Sequence, residues 1–299
     1  MKSNVKNSLF SVVVPIGNMV GQLRFIESWI HEIDQYEMEA ILVHDQTYKE
    51  VGPEIEQLLA SVNLRNVKLV EGTFGNPGSA RNAGLEKASG EWIAFWDSDD
   101  NPNIENIWNA VQRAEHRDEV IIGNFTVFNL KTLALTAPQL ISDSLNSVAM
   151  NPGIWRMIFR SETIGTTRFP SLKMGEDQVF LSHLGLASRK LKFIESVFYQ
   201  YNSGGSSQLT KSDKALRDLP IASGAILNHA VSAPWKDAIF DLQLFFRQQI
   251  TLIKKGNFLL KLGVLRFSRN FFVPVRLKLL VQALAALTKV LRTVKRAGI

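Results

Sequence analysis

The sequence predicts an α/β protein, a mostly parallel sheet flanked by helices with a helical C-terminal segment. Three observations carry that expectation. Short Val- and Ile-rich runs alternate with stretches of helical periodicity over the first hundred residues. Polar residues gather where three of those runs end. From about Ala215 onward the chain reads as helical throughout, with Pro220, Pro234 and Pro274 as breaks.

Taken in order, Leu9 to Ile16 is an apolar run closed by Gly17, the pattern of a strand covered on both faces. Leu23, Ile26, Trp29, Ile30 and Ile33 recur at helical spacing within Gln22 to Gln35, and Glu39 to Val43 returns to a strand. Pro53 to Leu59 predicts a helix, Val67 to Val70 a third strand, Gly78 to Ala88 a helix behind a Gly/Pro loop, and Trp92 to Trp96 a fourth strand. Glu119 to Phe128 is a further strand. An irregular stretch then runs to Trp155, after which Ile158 to Arg160, Met174 to Leu186 and Phe193 to Tyr201 read as strand, helix and strand. The division expected is residues 1–214 as the α/β domain and 215–299 as a basic, amphipathic helical region.

The 299 residues are 45% hydrophobic and 21% charged, enough to bury a large core, which excludes a disordered chain. The absence of cysteine rules out disulfides and thiolate metal sites, leaves catalysis to oxygen and nitrogen groups, and suits a reducing cytosol. Met1 to Ser8 lacks the features of a signal peptide, so a cytoplasmic location is expected. A P-loop, a Gly-x-Ser-x-Gly elbow and a Rossmann glycine fingerprint are all missing, which disfavours kinases, esterases and dehydrogenases. The histidines are too scattered for a metal cluster.

Parallel sheets bind ligands at the carboxyl ends of their strands. There the sequence places Gly17-Asn18, His44-Asp45 and Asp97-Ser98-Asp99-Asp100. Several carboxylates at the end of one buried strand repel each other and call for a cation. Hard divalent ions such as Mn²⁺ and Mg²⁺ take oxygen ligands and leave positions open for phosphates. An acidic turn ahead of a helix opened by Asn101-Pro102 explains the same residues equally well.

Context separates the two readings. Asn76-Pro77-Gly78-Ser79-Ala80-Arg81-Asn82-Ala83-Gly84 followed by Gly90-Glu91-Trp92-Ile93-Ala94-Phe95-Trp96-Asp97-Ser98-Asp99-Asp100 resembles the family 2 glycosyltransferases of GT-A fold. Ser11-Val12-Val13-Val14-Pro15 with Asn18 resembles the family's opening strand. Gly175-Glu176-Asp177 resembles its later acidic motif, and the likeness runs through about 210 residues. Two positions depart from the pattern: Gly17 stands where an aromatic is expected and His44 where an acid is expected.

The resemblance implies an inverting transfer from a nucleotide diphosphate sugar, most simply a UDP-sugar, to a hydroxyl of a surface glycan or lipid-linked acceptor. Asp97 and Asp99 are the implied metal ligands. Pro15, Asn18, Asp45, Gly78, Arg81, Asp97 and Ser98 are implied on the donor side. Asp177 is implied as general base, with Glu176 orienting the acceptor, and Trp155 and Asp100 are implied on the acceptor side. Each has a plainer alternative: a helix start for Glu176-Asp177, a core tryptophan for Trp155, a helix cap for Asp100, a surface salt bridge for Arg81. An inert glycan-binding or assembly protein of the same fold is the alternative to the enzyme, raised by Gly17 and His44.

From Phe258 to the end, Leu, Val and Phe alternate with Lys and Arg and no acid appears. Leu277, Leu280, Leu284, Leu287, Leu291 and Val294 form one helical stripe, while the longest uncharged stretch, Leu279 to Thr288, is far below the ~20 residues that span a bilayer. An anionic membrane surface is the expected partner, placing the chain peripherally on the inner face. The same stripe suits a coiled-coil homodimer or packing on the catalytic domain. Nucleic acid is not expected, since no binding module accompanies the charge.

Overall fold

Val12, Val13 and Val14 in succession leave the first strand no polar face, so it has to be covered on both sides. It is. In the structure, a computed structural model that describes residues 10–61, 65–140, 144–205 and 213–255, β1 (Phe10–Ile16) lies between parallel neighbours. Val12 and Val14 belong to the large core cluster that also holds Ile26 and Trp29 of α1 (Arg24–Ile30). Val13 faces the other way, towards Gly84.

The chain continues through β2 (Met38–Asp45), α2 (Gly52–Ser61), β3 (Val67–Gly72), α3 (Pro77–Leu85) and β4 (Trp92–Phe95). β1 pairs in parallel with β2 and with β4, and β2 pairs in parallel with β3. Ile55 and Leu58 of α2 join the same core as α1, whereas α3 lies on the opposite face. The sequence permits this close approach at Gly84, where a Cβ would stand 2.4 Å from Val13 Cγ1 and 2.8 Å from Val43 Cγ2.

Past β5 (Asn101–Pro102) and α4 (Ile104–Gln112), the sheet is completed by β6 (Val120–Asn129), the short β7 (Ala134–Leu135), β8 (Met157–Arg160) and β9 (Leu191–Ser203). The strand order is β3-β2-β1-β4-β8-β6-β9-β5, with β7 paired to β6. This half differs from the first because β8 runs antiparallel to both β4 and β6. The sheet is therefore mixed, parallel through its first four strands and antiparallel across β8.

Contacts divide the chain into two compact units. The first, carrying the whole sheet, comprises Met1–Ile141, Gly153–Ser171 and Lys190–Ser207; the second comprises Ser142–Pro152, Leu172–Arg189 and Gln208–Ile299. The second unit is helical: α5 (Leu145–Met150), then, after the single turn α6 (Ser161–Ile164) of the first unit, α7 (Glu176–His183), α8 (Asp213–Leu216), α9 (Leu219–Ser232) and α10 (Trp235–Lys255). Pro220 lies in the first turn of α9, where its missing N–H costs nothing, and Pro234 directly precedes α10. Pro274 and the basic stripe lie outside the described residues.

Helix α10 buries polar side chains that its neighbours meet in part, since Asp241 Oδ1 and Gln248 Nε2 stay buried without a partner. Asp241 Oδ2 receives His229 Nδ1 at 2.7 Å, Gln248 Oε1 accepts from Ser223 Oγ at 2.6 Å, and Asp237 accepts from the amide and hydroxyl of Ser188. Among the described residues no helix is long and apolar enough to cross a membrane.

Candidate active site

The carboxyl ends of β1, β2 and β4 lie side by side, as the sequence predicted, because Ile16 pairs with His44 and Val13 with Phe95. At the end of β4, Trp96 N extends the ladder to Val13 O at 3.1 Å, and the acidic turn follows. Its acids differ sharply in environment. Asp97 is partly exposed and Asp99 half-buried, while Asp100 has no exposure at all and Ser98 is buried.

Strand β9 holds this turn in place. Asp97 N donates to Tyr199 Oη at 2.9 Å, Asn202 N donates to Asp100 Oδ1 at 2.6 Å, and Asn202 Nδ2 donates to the carbonyl of Asp99 at 2.8 Å. The sequence gives neither Tyr199 nor Asn202 a role at this turn. The signal available was two polar side chains in the strand run Phe193 to Tyr201 and just beyond it, which a buried sheet keeps only where they find partners.

Burial, then the adjacent charge of Asp97, pushes the Asp99 carboxyl up to about 6. Burial, then the charges of Asp99 and Asp97, pushes Asp100 well above the usual carboxylate range, against hydrogen bonds from Asn202 and Tyr199. Tyr199 is likewise raised by burial and by these charges, so its hydroxyl keeps its proton. Asp100 Oδ2 is buried without a partner.

Helix α3 supplies the compensating cation. Asn76 caps it, accepting from Ser79 N at 2.8 Å, with Pro77 in the first turn. One turn on, Arg81 is buried and its Nη2 donates to Asp97 Oδ1 at 2.7 Å, the guanidinium lying 5.6 Å from the Phe169 ring centre. Gly78 is explained by packing, since a Cβ there would stand 2.2 Å from the Pro170 carbonyl oxygen.

Asp45 at the end of β2 ties two loops together. Its Oδ1 accepts from Thr47 N (3.0 Å), Thr47 Oγ1 (2.7 Å) and Phe74 N (3.0 Å), and its Oδ2 from Gly75 N (2.7 Å). Burial alone would raise this carboxyl, but the hydrogen bonds outweigh it and hold it below its ordinary value. Pro15 is part of β1, and Asn18 just beyond it is exposed. Trp155 lies in an aromatic cluster, stacked on Tyr199 (ring centres 4.6 Å) and Tyr201 (5.8 Å), with Phe125 edge-on at 4.9 Å.

Glu176 and Asp177 belong to the second unit, in the first turn of α7. Gly175 before them has φ +84 and touches α9 and α10, its Cβ position being 2.8 Å from Ala222 Cβ and 3.2 Å from Gln248 Nε2. Glu176 is buried, and Asp177 Oδ1 accepts from Gln178 N at 2.8 Å. Within this unit the charge of Asp177 acts on Arg247, which burial otherwise lowers and whose Nε donates to Met150 O at 2.8 Å.

Asp97 and Asp99 offer the oxygen donors a hard divalent cation takes, and the raised Asp99 together with the unpartnered Asp100 Oδ2 marks a turn short of positive charge, which fits such an ion. Among the described residues no three His, Asp or Glu side chains stand together as a complete metal site, so further ligands would come from elsewhere, phosphates included.

The chain matches the family model described as glycosyl transferase family 2 over residues 11–175, from β1 to the residue before α7. It belongs to that family. The poly(ribitol-phosphate) beta-N-acetylglucosaminyltransferase TarS of Staphylococcus aureus is 26% identical over 268 residues, covering 84% of this chain and 46% of TarS. The chain thus spans about half the length of that relative. The crystal structure of TarS residues 1–349 in complex with UDP-GlcNAc superimposes with a TM-score of 0.64 at 21% identity, covering 93% of this chain and 79% of that one. A mannosyltransferase from Pyrobaculum calidifontis in complex with GDP-Man and Mn²⁺ gives 0.53 at 14% identity, covering 95% and 87%. The fold of this family 2 member is thereby the GT-A fold with a helical C-terminal region.

Proposed function

We propose that this family 2 protein is an inverting, metal-dependent glycosyltransferase that moves a sugar from a UDP-sugar to a hydroxyl of a surface glycan or lipid-linked acceptor. The observation carrying this reading is the acidic turn after β4, where Asp97 is paired with the buried Arg81 and Asp99 is left short of positive charge. The name of TarS and its UDP-GlcNAc complex support a UDP-linked amino sugar as the first donor to try. The catalytic function is assigned to residues 1–214, with 215–299 as the appended helical region.

Asp97 and Asp99 would hold Mn²⁺ or Mg²⁺, which neutralises charge on the departing diphosphate. Arg81 orients Asp97 and adds positive charge beside the phosphates. Asp45, engaged by four donors, fixes the loops that flank the nucleoside and keeps Oδ2 lightly loaded for it. Asp177 takes the proton of the acceptor hydroxyl as its oxygen attacks the anomeric carbon. The bond from that carbon to the diphosphate breaks on the opposite side, so an α-linked donor gives a β-linked product. Glu176 orients the acceptor and Trp155 offers it a ring face, while the fully buried Asp100 acts as a strut between the turn and β9. The segment 258–299 holds the enzyme on an anionic membrane surface, and its deletion should abolish sedimentation with anionic liposomes.

The test is release of UDP from UDP-GlcNAc and other UDP-sugars, with Mn²⁺ or with EDTA. Release that requires the metal and is lost in Asp99→Ala supports the reading. A protein that turns over no nucleotide sugar under either condition is the inert alternative.

A further inference from the structure

Strands β1 and β2 end together, and the short turn after β2, Gln46–Val51, brings Tyr48 back beside Gly17. A Cβ at Gly17 would lie 3.6 Å from Tyr48 Cε2 and 3.9 Å from Cδ2, so the ring stands in the space that a side chain at residue 17 would use. The ring is half-buried, with part of it against the core and part accessible.

Two neighbours fix the turn that carries it. The buried His44 places Nε2 3.2 Å from the Tyr48 carbonyl oxygen. The other ring nitrogen meets Glu71 Oε1 at 3.2 Å. On the preceding side Asp45 caps the turn through Thr47. A ring carried on a turn held from both flanks loses less entropy when a flat ligand stacks on it than one on a loose loop.

The strand order β2-β1-β4 sets a length scale. Adjacent strands are about 4.8 Å apart, so the turn carrying Tyr48 and the acidic turn after β4 are separated by two spacings, about 10 Å. A nucleoside diphosphate with its phosphates at Asp97 and Asp99 spans that distance and brings its base to Tyr48.

We infer that Tyr48 is the stacking platform for the nucleobase of the donor, a binding residue supplied by the β2 turn in the space that Gly17 leaves open. This rests on the proposed nucleotide-sugar activity.

Calorimetric titration of the full chain in Mn²⁺ with UDP, and in parallel with inorganic pyrophosphate, tests it. Tyr48→Ala should weaken UDP about tenfold or more, in the range of base–aromatic stacking, and leave pyrophosphate within about twofold. Tyr48→Phe should bind UDP like the wild type, and Gly17→Tyr/Tyr48→Ala should recover most of the loss. Equal weakening of UDP and pyrophosphate would show that Tyr48 only shapes the loop, and unchanged UDP affinity in Tyr48→Ala would show no contact; either overturns the inference. A wild-type chain that binds pyrophosphate and no nucleoside diphosphate overturns it alone, whereas one that binds neither ligand removes the proposed function as well.

Discussion

Arg81 Nη2 donates to Asp97 Oδ1 at 2.7 Å, joining α3 to the acidic turn across 16 residues of sequence. The partners are unequally buried, with side-chain exposures of 5% for Arg81 and 30% for Asp97. Removing Asp97 takes an ionic partner from a buried guanidinium, whereas removing Arg81 leaves a carboxylate that water partly screens. Asp97→Ala should therefore be the more destabilising of the two, by about 1–2 kcal/mol. Urea denaturation of both variants checks the order; a larger loss for Arg81→Ala would contradict it.

Tyr199 offers a second test of how the turn is held. Its hydroxyl accepts from Asp97 N at 2.9 Å and donates to Asp97 O at 3.4 Å. Tyr199→Phe leaves both main-chain groups of Asp97 without that partner and should cost about 1–3 kcal/mol. Thermal unfolding at neutral pH reads the difference, and a variant as stable as the wild type would mean that the hydroxyl contributes nothing to the turn.

Asp45 gives a pH dependence of known sign. Its folded carboxyl titrates below the ordinary 3.8, so its stabilisation is fully present above that value and disappears as pH falls through the folded one. Asp45→Asn should be less stable than wild type at pH 7, and the gap should close as pH drops below about 4. A gap that stays constant between pH 7 and pH 3 would mean that ionisation of Asp45 plays no part.

Much of this was legible in the sequence. Uniformly apolar runs such as Phe10–Ile16 and Trp92–Phe95 can only be covered strands, and their abrupt polar ends point to one edge of the sheet. Arg81 and Asp97 were each legible as candidates, but their pairing was not, since nothing local to either residue reveals it. That Tyr199 and Asn202 hold the acidic turn was not legible, because they meet it from 102 residues away in sequence. Gly17 and His44 read as departures from the family pattern, and only the folded chain connects them, through the ring and carbonyl of Tyr48. The antiparallel course of β8 was illegible for a simpler reason: a four-residue apolar strand carries no mark of its direction.

The proposed function requires Asp97 and Asp99 to hold a divalent cation that receives the phosphates of a nucleotide. Calorimetric titration of UDP into the wild type and Asp99→Ala, each with Mn²⁺ and with EDTA, addresses that most directly. The expected result is binding by the wild type only in Mn²⁺ and none by Asp99→Ala under either condition. Equal affinity of the two proteins in Mn²⁺ would contradict it.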